Sequence, residues 1–277
     1  MSPEWQTACV ALVMFFAALT RSTFGFGEAL VAMPLLALVL NEVKVATALV
    51  ALNSIVNSLL ILATGPESTD WRGGWRLMIG CLVGTPVGVY VLIYVPESFV
   101  KLLLAVVLIA FSIYSLHRPR TWHLEQDGWA YPFGFVAGVL GGAYNTSGPP
   151  LVIFGSLRGW SPAQFRATLQ GVFLPNALLV LAIHYSAGLW STEVLQYLKW
   201  TVPGVVLSVP LGYWLNRRIH PQHFQRFLYS LLLALAGMLL WSTFQSQRTE
   251  IRNPKSEIRY NHEIHKTHEQ FAKSSWY

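Results

Sequence analysis

The chain has 277 residues, of which 53% are hydrophobic and 12% charged, with a mean hydropathy of +0.45. Ordinary soluble domains carry roughly 25% charged residues, so this composition excludes one. The net charge of +6 falls largely in the region after Phe244 and in short connecting loops, which excludes a basic nucleic-acid-binding face.

Ten apolar segments follow in chain order. The first half holds Trp5–Phe24, Ala29–Leu40, Val45–Thr64, Trp75–Val95 and Ser98–Leu116. The second holds Trp129–Tyr144, Pro149–Leu157, Ala167–Ala187, Trp200–Leu215 and Phe227–Phe244. Several lie in long runs without Asp, Glu, Lys or Arg; the run Trp129–Leu157 has twenty-nine such residues. An uncharged apolar run of about eighteen or more reads as a membrane helix. Trp and Tyr gather near the run ends, as interfacial anchors do. Ala29–Leu40 and Pro149–Leu157 are too short to cross a hydrocarbon core of about 30 Å, and each follows a glycine-bearing break. The predicted fold is all-α: a multi-pass helix bundle of about eight transmembrane helices, or ten segments with the two short ones counted. Cys9 and Cys81 both lie in apolar segments and predict no disulfide. No cleavable signal peptide is expected, because the first residues carry Glu4 and no Lys or Arg.

The two halves, 5–116 and 129–244, resemble each other internally. Pro96-Glu97-Ser98-Phe99-Val100-Lys101 aligns with Pro221-Gln222-His223-Phe224-Gln225-Arg226, and Pro86-Val87-Gly88 with Pro210-Leu211-Gly212. Repeated halves with breaks at matching places are the mark of a secondary transporter. Lys and Arg in the loops (Arg72 and Arg76, Arg118 and Arg120, Arg158 and Arg166, Arg217, Arg218 and Arg226) put those loops on the cytoplasmic side. That assignment makes the halves inverted and places both termini outside. The basic tail 245–277 is expected to be disordered and separate from the transport machinery.

The second break, Gly141-Gly142-Ala143-Tyr144-Asn145-Thr146-Ser147-Gly148-Pro149-Pro150, lies at membrane depth. Freed backbone groups there cannot face lipid, so the break must be buried or line a wet cavity. Asn145, Thr146, Ser147 and Gly148 are good cap residues, and Pro149 suits a first helical position. A short helix starting there would point its positive end inward, an anion site in the making. The first break, with Gly25, Gly27 and Glu28, offers a second such end. Two ends meeting near the midplane would hold a small anion through backbone donors and Asn145, Thr146 and Ser147. The plainer alternative is that these glycines only allow close helix packing.

Arg21 and Glu28 flank the first break. Either they form an interfacial pair, or Arg21 attracts the anion and Glu28 carries a coupling proton; sodium is the other coupling ion to consider. Asn53 and Asn57, with Gln170 and Asn176 in the matching helix, could bond between helices or line a cavity. His184 reads as structural. No catalytic triad, HExxH, CxxC or Walker loop stands in a convincing context, so the reading is not an enzyme and calls for no cofactor or metal.

At these residues the chain resembles the sulfite exporter TauE/SafE family. Gly25-Phe26-Gly27 with Met33-Pro34-Leu35 is similar to its first glycine-rich motif, although Glu28 and Ala29 stand where that motif has more glycine. Gly138, Gly141 and Gly142 leading to Gly148-Pro149-Pro150-Leu151 are similar to its second, and Phe165-Arg166-Ala167-Thr168 to the helix start after it. The resemblance covers roughly residues 8–243. It implies a cell-membrane permease of two four-helix halves that moves small anions such as sulfite or organosulfonates. A non-transporting membrane scaffold and an anion channel are the alternatives.

Overall fold

The computed structural model describes residues 3–40, 42–63, 71–117, 124, 126–216 and 218, with scattered positions between 230 and 241. The tail 245–277, most of the tenth segment, the stretch Pro221 to Arg226, and the orientation markers Arg118, Arg120 and Arg217 lie outside the described residues.

Among the described residues nine helices follow in order: α1 (Pro3–Phe24), α2 (Glu28–Val39), α3 (Val43–Ala63), α4 (Trp71–Tyr94), α5 (Glu97–His117), α6 (Ala130–Tyr144), α7 (Gly148–Leu157), α8 (Pro162–Ser186) and α9 (Thr192–Asn216). A single 3-10 turn, Asp127–Trp129, precedes α6. No strand occurs among the described residues. Among the described residues four helices, α1, α3, α4 and α8, are long and apolar enough to cross a membrane. The two short segments predicted from sequence are separate helices of 12 and 10 residues. At 1.5 Å per residue they span about 18 and 15 Å, half a bilayer core each.

The burial pattern differs from that of a soluble protein in its apolar exterior and in the polar groups set into its apolar core. Leu12, Phe16, Leu59, Val83, Leu178 and Leu207 stand exposed, while Arg21, Glu28, Asn53, Asn57, Gln170 and Asn176 are buried. An exterior this apolar, around a core that also buries charged and polar groups, is stable only where the surrounding solvent is hydrocarbon.

Packing crosses the middle of the chain. α4 lies against α6 and α8, while α9 lies against α1 and α3. The α4–α6 contact is backbone to backbone. Gly80, Gly84 and Gly88 face the carbonyls of Tyr131, Phe135 and Val139; Gly134, Gly138 and Gly142 face those of Leu77, Cys81 and Thr85. A Cβ at any of these six would run into a main-chain oxygen, so only glycine permits the approach. α1 meets α9 in the same manner, with Gly212 against Ser22. α3 and α8 join the two groups. Asn53 settles as an interhelical bond. It accepts from Thr201 Oγ1 of α9 at 3.0 Å, and its amide donates to the Leu49 carbonyl at 3.0 Å.

A clasp ties α4, the end of α7 and the start of α6 together. Asp127 bridges Arg76 at 2.5 Å and Arg158 at 2.7 Å. The Leu124 amide donates to the Leu157 carbonyl at 2.9 Å, and Arg158 donates to the Leu124 carbonyl at 3.0 Å. The hydrogen bond from Arg76, then the charge of Arg158, hold the Asp127 carboxyl below its usual range. Arg76 and Arg158 therefore stand at one end of the molecule, as the loop-charge reading requires.

Candidate binding site

The first break is built from two left-handed glycines. After α1 the chain turns through Gly25 (φ 85°) and Gly27 (φ 103°), conformations open to residues without a Cβ. α2 then begins at Glu28 with Gly27 at its N-cap and no side-chain cap. Its first intrahelical bond is Val31 N–H to the Gly27 carbonyl at 3.1 Å. The amides of Glu28, Ala29 and Leu30 precede it and have no partner within the helix.

The second break uses one left-handed asparagine. Asn145 (φ 55°) closes the C-terminus of α6, and its side-chain amide donates to the Thr47 carbonyl of α3 at 2.7 Å. The Thr146 hydroxyl donates back to the Tyr144 carbonyl at 3.0 Å. The structure thus corrects one expectation: none of Asn145, Thr146 and Ser147 caps α7 by its side chain. Ser147 occupies the N-cap position, but its backbone is helical (φ −70°, ψ −15°) instead of extended. A capping oxygen needs the N–H of the second or third helical residue. In α7 those residues are Pro149 and Pro150, which have none. The Ser147 hydroxyl is left to the interior, seated over Gly141 in the space a Cβ would fill.

The two breaks meet at one cavity of about 40 Å³. Of the residues predicted from sequence, Arg21, Gly27, Glu28, Asn145, Thr146, Ser147 and Gly148 line it. Gly25 and Pro149 do not. Gly25 accepts from Gln170 Nε2 at 3.4 Å, and Pro149 packs on a separate apolar groove between α5, α6 and α7. Phe26, Ala29, Leu30, Ser54, Phe173 and Asn176 complete the wall. Asn176 is thus both cavity lining and an interhelical partner, since Thr85 Oγ1 donates to it. His184 is fully buried in α8 and lies apart from the cavity.

Arg21 and Glu28 form a buried ion pair, Nη1 to Oε2 at 2.8 Å, with side chains only 5% and 3% exposed. The pairing is the one the plainer reading expects, but it is buried and not interfacial: neither group reaches the surface. Arg21 is held on every side. Nη1 also donates to the Ser54 hydroxyl and carbonyl, and Nη2 to Ser58 Oγ at 2.6 Å and Gln170 Oε1 at 3.3 Å. Its guanidinium lies 5.1 Å from the Phe173 ring centroid. On Glu28, Oε2 accepts from Ser54 at 3.2 Å and Asn57 at 3.5 Å as well. Two polar atoms of the pair have no partner: Arg21 Nε and Glu28 Oε1.

A lipid-facing helix bundle with an ionised, polar cavity between two half-length helices defines a multi-pass membrane transporter. The chain belongs to the sulfite exporter TauE/SafE family, whose profile matches residues 10–239. It is similar to the probable sulfite/organosulfonate exporter TauE of Cupriavidus necator, with 27% identity over 225 residues, covering 79% of this chain and 88% of that protein. It is also similar to the probable inner membrane transporter protein TsaS of Comamonas testosteroni, with 25% identity over 189 residues, covering 67% of this chain and 79% of that protein. No solved structure matches it.

Proposed function

We propose that this protein is a secondary transporter of a small anion, sulfite or an organosulfonate, in the inner (plasma) membrane. It works by alternating access, built on two repeated halves of inverted orientation and driven by a proton or sodium gradient; which helices move together is set by their packing. The clasp of Arg76, Asp127 and Arg158 faces the cytoplasm. The observation that carries this reading is the convergence of Arg21, the uncapped start of α2 and the Ser147–Gly148 start of α7 on one buried cavity. A cation, three unpartnered amides and the positive end of a helix dipole all favour negative charge at that place. The names of the two relatives supply the substrate class. A water needs about 10–15 Å³ by this measure, so the cavity holds about three, room for a compact oxyanion. A larger sulfonate requires the bundles to part.

The test is uptake of labelled sulfite into liposomes beside sulfate, a sulfonate and a neutral solute, with wild type and a Thr146→Ala, Ser147→Ala double variant. A hydrogen bond to a charged group contributes roughly 1.5–3 kcal/mol, so losing that of Ser147, with the Thr146 hydroxyl already donating to Tyr144, should lower saturable anion uptake at least about tenfold. The variant should elute and melt like wild type. Equal uptake of the neutral solute, or no anion flux from folded wild type, would overturn the reading.

A further inference from the structure

The Arg21–Glu28 pair poses a problem for any anion carrier. The cation that should attract the substrate is already neutralised inside the protein. Four of its five N–H donors are committed, one of them to the Glu28 carboxylate. With Glu28 ionised the cavity carries no net charge. Adding an anion would leave one charge uncompensated in a buried site, the arrangement a low-dielectric interior tolerates least.

Resting on the transporter reading above, we propose that Glu28 is an internal stand-in for the substrate, and that each anion binds together with one proton taken up by Glu28. The geometry supplies the acceptor. Every bond the carboxylate makes goes to Oε2, while Oε1 is buried without a partner and Glu28 lines the cavity. A proton from the aqueous side open to the cavity adds to Oε1 and makes the neutral acid. The charge of Arg21 is then free for the anion, and the new O–H can donate to it. The unpartnered Arg21 Nε–H offers a further donor. The amides of Ala29 and Leu30, which stand where the start of α2 favours a carboxylate, favour the substrate charge for the same reason.

The groups facing Glu28 leave the proton no rival. α1 brings Arg21, whose guanidinium has donors but no acceptor for a proton. α3 brings Ser54 and Asn57, α8 brings Phe173 and Asn176, and the second break brings Asn145, Thr146 and Ser147, all without titratable groups. α5 also packs on α2 but contributes no residue to the cavity wall. A sodium ion would need several oxygen ligands. Here the carboxylate oxygen with bonding capacity to spare stands beside a guanidinium and uncapped amides, which repel a metal cation.

Methanesulfonate is the probe, because it stays ionised throughout the accessible pH range and carries no proton of its own. In liposomes an inwardly directed proton gradient should drive its accumulation by wild type, with a sodium gradient inert. In detergent its affinity should weaken about tenfold per pH unit wherever the empty site is deprotonated, the slope for one linked proton. Glu28→Gln, a fixed neutral side chain, should bind methanesulfonate with affinity independent of pH and lose proton-driven accumulation. Should that variant fail to fold, wild type decides the matter alone. In weakly buffered detergent solution a pH dye should report one proton taken up per anion bound. Accumulation that follows sodium alone, proton-driven accumulation by Glu28→Gln, or binding without proton uptake would each overturn the assignment and leave the transporter standing. Folded wild type that neither binds nor moves methanesulfonate, and moves no sulfite under either gradient, would sink the transporter reading, and this inference with it.

Discussion

At Gly141 the space a side chain would fill is occupied by the Ser147 hydroxyl, with Asn176 Nδ2 3.0 Å from the same point. Both partners line the cavity, so Gly141 shapes the site without touching it. Gly141→Ala should push Ser147 out of its seat and lower anion uptake about tenfold, comparable to deleting its hydrogen bond to a charged ligand. A parallel melting curve separates that loss from unfolding; uptake unchanged in a folded variant would show that Ser147 has no set position. Sequence reasoning reached most of this site because charge, glycine and cap residues are rare at membrane depth. It missed Ser54, which bonds both members of the ion pair. The polar signal in α3 came from Asn53 and Asn57, and Asn53 turned out to serve Thr201 on another face. A residue one position along a helix is rotated about 100°, so Asn53 serves α9 while Asn57, with Ser54, reaches Glu28; polarity located the helix and one of its two partners to the pair.

Among the elements, the half-length helices were legible because their ends are written in glycine and proline. The failure of Ser147 to cap α7 was not legible: with Pro149 first, Leu151 would still offer an N–H at the third position, but the helix starts at Gly148 and puts Pro149 and Pro150 at the second and third. Nor was the α4–α6 contact. Gly80, Gly84 and Gly88 repeat every four residues, as do Gly134, Gly138 and Gly142, and each stripe announces a close neighbour without naming it. Gly84→Ala tests that contact. The added methyl meets the Phe135 backbone, which cannot rotate away as a side chain would. Overpacking of side chains costs about 1–3 kcal/mol, and a main-chain obstacle should reach at least the upper end. Gly171→Ala in α8, where nothing lies within 4 Å, is the control and should melt like wild type. Equal melting of the two variants would mean that α4 and α6 are not in backbone contact.

For the whole molecule, the packing changes what an alternating-access motion can move. A sequence duplication invites the picture of residues 5–116 rocking against 129–244. Yet α4 is locked to α6 by six glycines, and α9 is packed on α1 and α3. Bodies that move as units must keep such contacts, because close-packed interfaces do not deform continuously. For the proposed alternating-access motion, this packing groups α1, α2, α3 and α9 on one side and α4, α6, α7 and α8 on the other, with α3 against α8 as the contact that must give. The clasp through Asp127 belongs wholly to the second, and the cavity lies between the two. Paired cysteines, in a background lacking Cys9 and Cys81, distinguish the pictures. Asn53→Cys with Thr201→Cys joins α3 to α9 across a contact of 3.0 Å between side chains. Phe26→Cys with Phe165→Cys joins the start of α2 to α8, where the rings now stand 5.8 Å apart. A short bis-methanethiosulfonate reagent should leave anion flux through the first pair within about twofold of its unlinked value, a change under ~0.5 kcal/mol. It should abolish flux through the second, and reductant should restore it. If the sequence halves were the moving bodies, the α3–α9 link would bridge them and arrest transport, so arrest by that link would overturn the exchanged-helix arrangement.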